Sequence, residues 1–189
     1  AEPFSSASTN VVESGQQVER LEFTVINIAD GNNERLNVDG SSVALADGTS
    51  VSTNNNGLTA DVSVSGSTAT VTVDGGPFSE STANTIIDNL AYENTNDAPT
   101  TDSGRTITIT KLVDDGDTTS GGDDTTTLSD FGTVSLTAVN DAPSITIGGD
   151  QTANADTTEQ MVTDFATGFD PGGGESQSIS DFTVTNDDN

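Results

Sequence analysis

Apolar and polar residues alternate in short runs along this chain. A period of two fits one conformation, a strand with one face on a core and the other in water. Leu58-Thr59-Ala60-Asp61-Val62-Ser63-Val64 alternates, and so does Ala69-Thr70-Val71-Thr72-Val73. Between them lies Ser65-Gly66-Ser67, a tight turn, so the segment predicts a β-hairpin. A second hairpin is predicted from Leu36-Asn37-Val38, Asp39-Gly40 and Val43-Ala44-Leu45, because Asp-Gly supplies the positive φ angles that hairpin turns need.

Further strands are expected at Val18 to Ile28, Arg105 to Val113 and Phe131 to Val139. Ile107, Ile109 and Leu112 carry the apolar signal in one, and Val134, Leu136 and Val139 in another. Threonine fills many intervening positions; its branched Cβ favours strands and its hydroxyl solvates the outer face without charge. One segment breaks the pattern. Ser79 to Leu90 fits a short helix, with Ile86, Ile87 and Leu90 on one face and Ser79 or Ser81 as N-cap.

About seven strands with turns at short intervals predict an all-β fold, a Greek-key β-sandwich whose single short helix crosses between the sheets. The first unit is expected to close near Val139. Pro143, in Asn140-Asp141-Ala142-Pro143, restricts Ala142 to extended backbone and cannot continue a central ladder. The domains read as 1–143, one sandwich, and 144–189, the incomplete start of another unit. Its apolar positions are Ile145, Ile147, Met161, Val162, Phe165, Phe169, Phe182 and Val184. So short a stretch supplies two or three strands, too few to stand alone.

Composition removes whole classes of function. Without His or Cys there is no Ser-His-Asp triad, cysteine nucleophile, zinc finger or ordinary haem site. The formal charge is −27, from 31 acids against 4 bases. Such a chain does not bind phosphate backbones by charge, so no nucleic-acid partner is expected. No apolar run approaches the ~20 residues that span a bilayer, so no membrane insertion is expected. No basic stretch with an apolar core opens the chain, so no signal peptide is expected, and Ala1 reads as the start of an excised fragment. High charge with 30% hydrophobic residues also fits disorder, but a disordered chain does not keep period-two patterning through seven segments.

The acids gather in loops with Gly and Asn: Asp30-Gly31-Asn32-Asn33-Glu34, Asn94-Thr95-Asn96-Asp97, Asp114-Asp115-Gly116-Asp117 followed by Asp123-Asp124, Asn140-Asp141, Asp170-Pro171-Gly172, and Asp187-Asp188-Asn189. Like charges this close repel, and a hard cation reverses the sign. Calcium takes six to eight oxygens from carboxylates, carbonyls and Asn side chains, and short Asp beside free-turning Gly lets a loop wrap it. The clusters therefore predict Ca2+ sites between strands and at domain ends. The 22 Asp against 9 Glu fit small oxygen cages. A merely solvated acidic surface is the plainer alternative.

Paired carboxylates, Asp114 with Asp123 or Glu93 with Asp97, are the chemistry of glycoside hydrolysis. A sugar cleft normally offers aromatic platforms, and this chain has no Trp and one Tyr, so it reads as no enzyme. Tyr92 reads as a tyrosine corner tying a crossover. Arg105 reads as neutralising nearby acids.

Asn89-Leu90-Ala91-Tyr92-Glu93-Asn94-Thr95-Asn96-Asp97, Arg105-Thr106-Ile107-Thr108-Ile109, the Asp114 to Asp124 loop and Ala138-Val139-Asn140-Asp141-Ala142-Pro143 together resemble the cadherin-like and immunoglobulin-like tandem repeats of large bacterial surface adhesins, many of them calcium-dependent and exported by type I secretion. The resemblance covers roughly residues 1–143. The tail, with Thr167-Gly168-Phe169-Asp170-Pro171, resembles the opening of a following repeat of another subtype. The resemblance implies Ca2+ at repeat junctions. It places Glu13 as the acid near the start of the repeat, Asn140 and Asp141 as linker acids, Asp170 as the following repeat's contribution, and Asp30 as its counterpart in the first repeat. Ala155 departs from the pattern, standing where such repeats often carry an acid and leaving Asp156 alone. The nonapeptide Gly-Gly-x-Gly-x-Asp repeat is absent.

The expected function is a calcium-rigidified extracellular module, secreted to the bacterial cell surface, that spaces an adhesin for attachment and biofilm formation. Its expected partners are neighbouring repeats of the same chain. Two alternatives stand beside it. One is a module that itself binds a surface glycan, ice or another copy of itself. The other is an accessory repeat of a large secreted enzyme.

Overall fold

The computed structural model describes residues 1–11, 13–119, 123–152, 161–172, 178, 180, 181 and 183. The expected positions Ala155, Asp156, Phe182, Val184 and Asp187 to Asn189 lie outside the described residues. Two compact units emerge, Ala1–Thr137 and Ala138–Asn189.

The first unit is an all-β sandwich. Its strands are β1 (Val18–Ile26), β2 (Glu34–Val38), β3 (Ser41–Ala44), β4 (Ser50–Ser52), β5 (Thr59–Ser65), β6 (Thr68–Asp74), β7 (Ala91–Asn94), β8 (Arg105–Asp114) and β9 (Thr125–Val134). A six-stranded sheet has the order β4-β5-β6-β1-β8-β9, and a three-stranded sheet the order β3-β2-β7. All pairings are antiparallel. The helix α1 (Glu80–Asp88) connects β6 in the large sheet to β7 in the small one.

Both hairpins form where the turn residues demand them. Asp39 and Gly40 take φ of 47° and 77°, the pair of positive values a type I′ turn requires. Gly66 takes φ of 59° between Ser65 and Thr68, which pair directly, leaving a two-residue loop of the II′ kind. Ser79 caps α1 by accepting from the Thr82 N–H. Leu21, Phe23 and Val25 of β1, Val71 and Val73 of β6, Ile107 of β8, and Leu36 and Val38 of β2 meet in one core, which Ile86 and Leu90 join from the helix segment.

Strands β4 and β7 have no counterpart in the alternation reading, and two further strands differ from it. β9 spans Thr125–Val134, not Phe131 to Val139. Arg105 pairs with Val134 and Val113 with Thr125, so ten residues of β8 select the partner, and Thr125 to Thr127 supply β-branched backbone without an apolar signal. In β8 the register shifts between Ile109 and Lys111 against β9, and between the partners of Glu22 and Phe23 in β1. This bulge at Thr110 lets Ile109 and Leu112, three apart, both pack on the core.

The second unit contains β10 (Ser144–Ile147) and β11 (Ala166–Asp170), paired antiparallel. Ile145, Ile147, Phe165 and Phe169 are exposed. Among its described residues this pair encloses no hydrophobic core, as expected for an isolated two-stranded ribbon.

Candidate functional site

The candidate acids of the first unit separate into two groups at opposite ends of β8. Arg105 opens that strand and Asp114 closes it. Nine steps of ~3.3 Å put the two groups about 30 Å apart.

At the Arg105 end, Glu34 is the first residue of β2 and points inward, fully buried. Arg105 donates to both its oxygens, from Nε at 3.0 Å and Nη2 at 2.8 Å. The Tyr92 hydroxyl donates to Oε2 at 2.8 Å, and the Ala29 and Asp30 amides donate to Oε1. Arg105 also donates from Nη1 to the Ser103 carbonyl. Burial opposes the charge on Glu34, but these donors together hold its carboxyl below the ordinary range. Burial, then the neighbouring Glu34, pushes the Tyr92 phenol up.

Asp30 sits beside this pair, 3.6 Å from Arg105 Nη2. It accepts from the Asn94 side-chain amide at 2.6 Å, and from the Thr100 hydroxyl and backbone N–H. Burial again opposes the charge, and hydrogen bonds from Thr100 and Asn94 outweigh it, so this carboxyl too is held low. Asp30, Glu34 and Asn94 are thus brought together, with their polar atoms engaged by protein donors. Arg105 neutralises acids as its position suggested. Tyr92 ties β7 to a side chain of β2 rather than to upstream backbone. Asp97 is exposed in the loop that follows β7.

At the Asp114 end, Glu13, Asp114, Asp117, Asp123 and Asp124 line one cleft of about 140 Å3. Gly116, already part of the acidic cluster, lines it too, and Asn10, Gln16 and Thr126 complete its polar wall; charge clustering alone did not single out these three. Asp115 turns aside and accepts from the Gln17 N–H at 2.7 Å. Asp114 accepts from the Gly116 N–H, and Asp117 from the Thr119 N–H and hydroxyl. Those Thr119 bonds hold the Asp117 carboxyl below the ordinary range. Asp123 and Asp124 accept from Thr125. These are local turns, and they leave the acids grouped without a counter-charge.

The chain's four bases are committed elsewhere. Arg20 pairs with Asp74, Lys111 with Glu22, and Arg105 with Glu34. Arg35 donates to the hydroxyl and carbonyl of Ser42. The cleft is therefore a carboxylate pocket without an ammonium or guanidinium partner. Its donor set is all oxygen, the chemistry of a hard divalent cation. Among the described residues, no three acids converge closely enough to hold a metal ion as the side chains stand.

A buried Asp escaped the loop reading. Asp39, at the β2–β3 turn, accepts from Thr53 Oγ1 at 2.6 Å and from the Asn56 side chain and backbone. It pins the loop before β5 and is structural.

In the second unit, the Asn140 side-chain amide donates to the Asp141 carbonyl, and Asp170 accepts from the Gly172 N–H. A side chain on Gly172 would meet the Asp141 carbonyl at 3.0 Å, so these segments lie against each other. Asn140 and Asp141 line a cleft of about 190 Å3 with Pro143, Pro171 and Asp181.

No helix among the described residues is long and apolar enough to cross a membrane. Compared with protein-family models, curated proteins and solved structures, the chain matches none.

Proposed function

We propose that this chain is an extracellular spacer repeat of a bacterial surface adhesin, stiffened by calcium. The supporting observation is the cleft of Glu13, Asp114, Asp117, Asp123 and Asp124, from which all four basic side chains are withheld. Five like charges in one cleft repel, and the repulsion is a standing cost of the folded state. A divalent ion converts that cost into attraction. Since no three acids converge beforehand among the described residues, the ion draws the acids between β8 and β9 toward the turn at Glu13. Binding then pins the β8–β9 loop to that turn and stiffens this end of the sandwich.

An ion that binds only the folded state adds ~2.7 kcal/mol at a hundredfold excess over its dissociation constant. Calcium raises the melting temperature, and magnesium does so weakly, because magnesium demands tighter octahedral geometry and holds its water. The test is thermal unfolding in calcium, in magnesium and in chelator. Coincident curves in calcium and chelator would sink the reading.

A further inference from the structure

Residues 1–11 form a strap along the open flank of the sandwich, between the edge strands β9 and β7. Ala1 and Tyr92 exchange backbone hydrogen bonds at 2.8 Å, which joins the strap to β7. Pro3 lies against Gly132 of β9, where any Cβ would collide with its carbonyl. Phe4, Ala7 and Val11 pack against the core.

The rest of the strap is held by a ladder of side chains on α1. The Ala7 N–H donates to Asp88 Oδ1 at 2.7 Å, the Thr9 N–H to Asn84 Oδ1 at 2.7 Å, and the Val11 N–H to Glu80 Oε1 at 2.5 Å. The Thr9 hydroxyl adds a bond to Asn84 and one to the Glu80 carbonyl. The spacing has a physical basis. Four helical residues advance ~6.0 Å, and two extended residues advance ~6.6 Å. Acceptors at every fourth position of α1 therefore meet amides at every second position of an antiparallel strap. The helix stands in for an edge strand, with side-chain oxygens replacing backbone carbonyls.

The strap only partly fills the space it covers. A cleft of about 350 Å3 remains between it and the large sheet, lined by Phe4, Ala7, Ile87, Ile109, Leu112 and Leu128. The strap joins the body through a turn at Glu13 to Gln16, where Gly15 takes φ of 95°. The body proper is anchored from Gln17, which exchanges hydrogen bonds with Asp115. The strap is thus one segment on a glycine-containing turn, fastened by the apolar packing of Phe4, Ala7 and Val11, by side-chain acceptors and by a backbone bridge at Ala1.

We propose that the flank formed by α1, β8 and β9 is a docking site for an extended peptide segment, and that its occupant in trans is the strap of a second copy of this chain. The second copy carries the same amides, the same Thr9 hydroxyl and the same Phe4 anchor. Exchange preserves every strap contact and alters only the turn at Glu13 to Gln16, the low-cost route to a swapped pair. Two chains of charge −27 repel, so exchange rises with ionic strength as screening shortens to a few ångströms.

The chain has no cysteine, so introduced thiols report cleanly. Chains of this sequence carrying Thr9→Cys alone and Asn84→Cys alone are mixed in a thiol–disulfide buffer at low and high salt. A third chain carries both substitutions. Covalent products are read by intact mass. The proposal expects the doubly substituted chain to close on itself when alone and dilute. In the mixture it expects hetero-linked dimer several-fold above the share from random pairing, increasing with salt. Hetero-linked dimer at the random share, or no dimer while the doubly substituted chain closes, would show a strap that never leaves its own body and would overturn the proposal. Failure of the doubly substituted chain to close would overturn it too, because the strap would then not lie on α1. Glu13 belongs both to this hinge and to the acidic cleft, so all arms are run in chelator, where the outcome does not turn on a bound ion and separates from the spacer reading.

Discussion

Arg105 grips both carboxylate oxygens of Glu34 across 71 residues of sequence, and neither side chain reaches solvent. The pair joins the first strand position of the small sheet to the first position of β8 in the large one. It is a cross-brace between the layers, with Tyr92 and the Ala29 and Asp30 amides completing the donors around Glu34.

Removing one partner of such a pair strands the other. Arg105→Met leaves a buried, uncompensated carboxylate, and should cost about 3–5 kcal/mol in denaturant unfolding. Adding Glu34→Gln removes the stranded charge and keeps an oxygen for Tyr92. The double variant should recover a large part of that loss. Additive losses in the double-mutant cycle would show that the two residues are not coupled.

The same cluster sets an acid limit. Glu34 and Asp30 have folded-state carboxyl pKa values below their ordinary values of 4.5 and 3.8. A depressed folded value means that the unfolded chain takes up the proton more readily. The stabilisation is therefore present in full above the unfolded values and drains away as pH falls through the lower folded ones. Protonating exposed acids works the other way, by relieving the −27 charge. The stability difference between the wild-type chain and Glu34→Gln isolates the first effect. It should be constant from pH 7 to about pH 5 and shrink below about 4.5, as the unfolded carboxyl becomes protonated. A difference unchanged at pH 3 would contradict the assignment.

Gly76 passes so close to β1 that a Cβ would lie 2.8 Å from the Glu19 Cα and from the carbonyls of Val18 and Glu19. These neighbours are backbone in the central region of the large sheet, where Val18 bridges to Phe78, so they cannot swing aside. Gly76→Ala should destabilise the chain by about 1–3 kcal/mol. Gly48→Ser is the contrasting surface change, since open space surrounds its Cβ direction and only its φ of 77° resists. Chemical unfolding of both variants checks the ranking; equal losses would mean that the close approach at Gly76 carries no cost.

The hairpins were legible because their turns are written in residue type: Asp39-Gly40 needs two positive φ values, and Gly66 needs one. The helix was legible from the Ser79 cap and the Ile86, Ile87, Leu90 face. Strand β9 was displaced because Thr125 to Thr127 pair without apolar residues, whereas Val139 is apolar yet exposed. Glu34 follows Asp30 and Gly31 and so looks like a loop acid. Only its partners at positions 92 and 105 reveal that it faces inward, and separations of 58 and 71 residues leave no local trace. The strap's alternation is faint, because Ala7, Thr9 and Val11 are half-buried between exposed Ser8 and Asn10 but only Ala7 and Val11 of the three are apolar. Its clearer signal is Glu80, Asn84 and Asp88 at intervals of four. The acidic loop was legible as a group, but the Glu13, Asn10 and Gln16 wall of its cleft comes from a distant part of the chain.

The cleft offers a test that separates calcium chemistry from general acidity. Asp123 and Asp124 lie on the side of the loop that leads into β9, and among the described residues their side chains bond with Thr125 alone. Asp123→Asn with Asp124→Asn removes two of the five carboxylates while keeping the oxygens that serve Thr125. In chelator, the variant should melt at or above the wild-type temperature, because two repelling charges are gone. In calcium, it should lose most of the increment gained by the wild-type chain, because amide oxygens bind a hard cation less strongly than carboxylates. Titration calorimetry should show the matching loss of calcium heat. If the variant kept the full increment, any calcium effect would belong to acids outside this cleft.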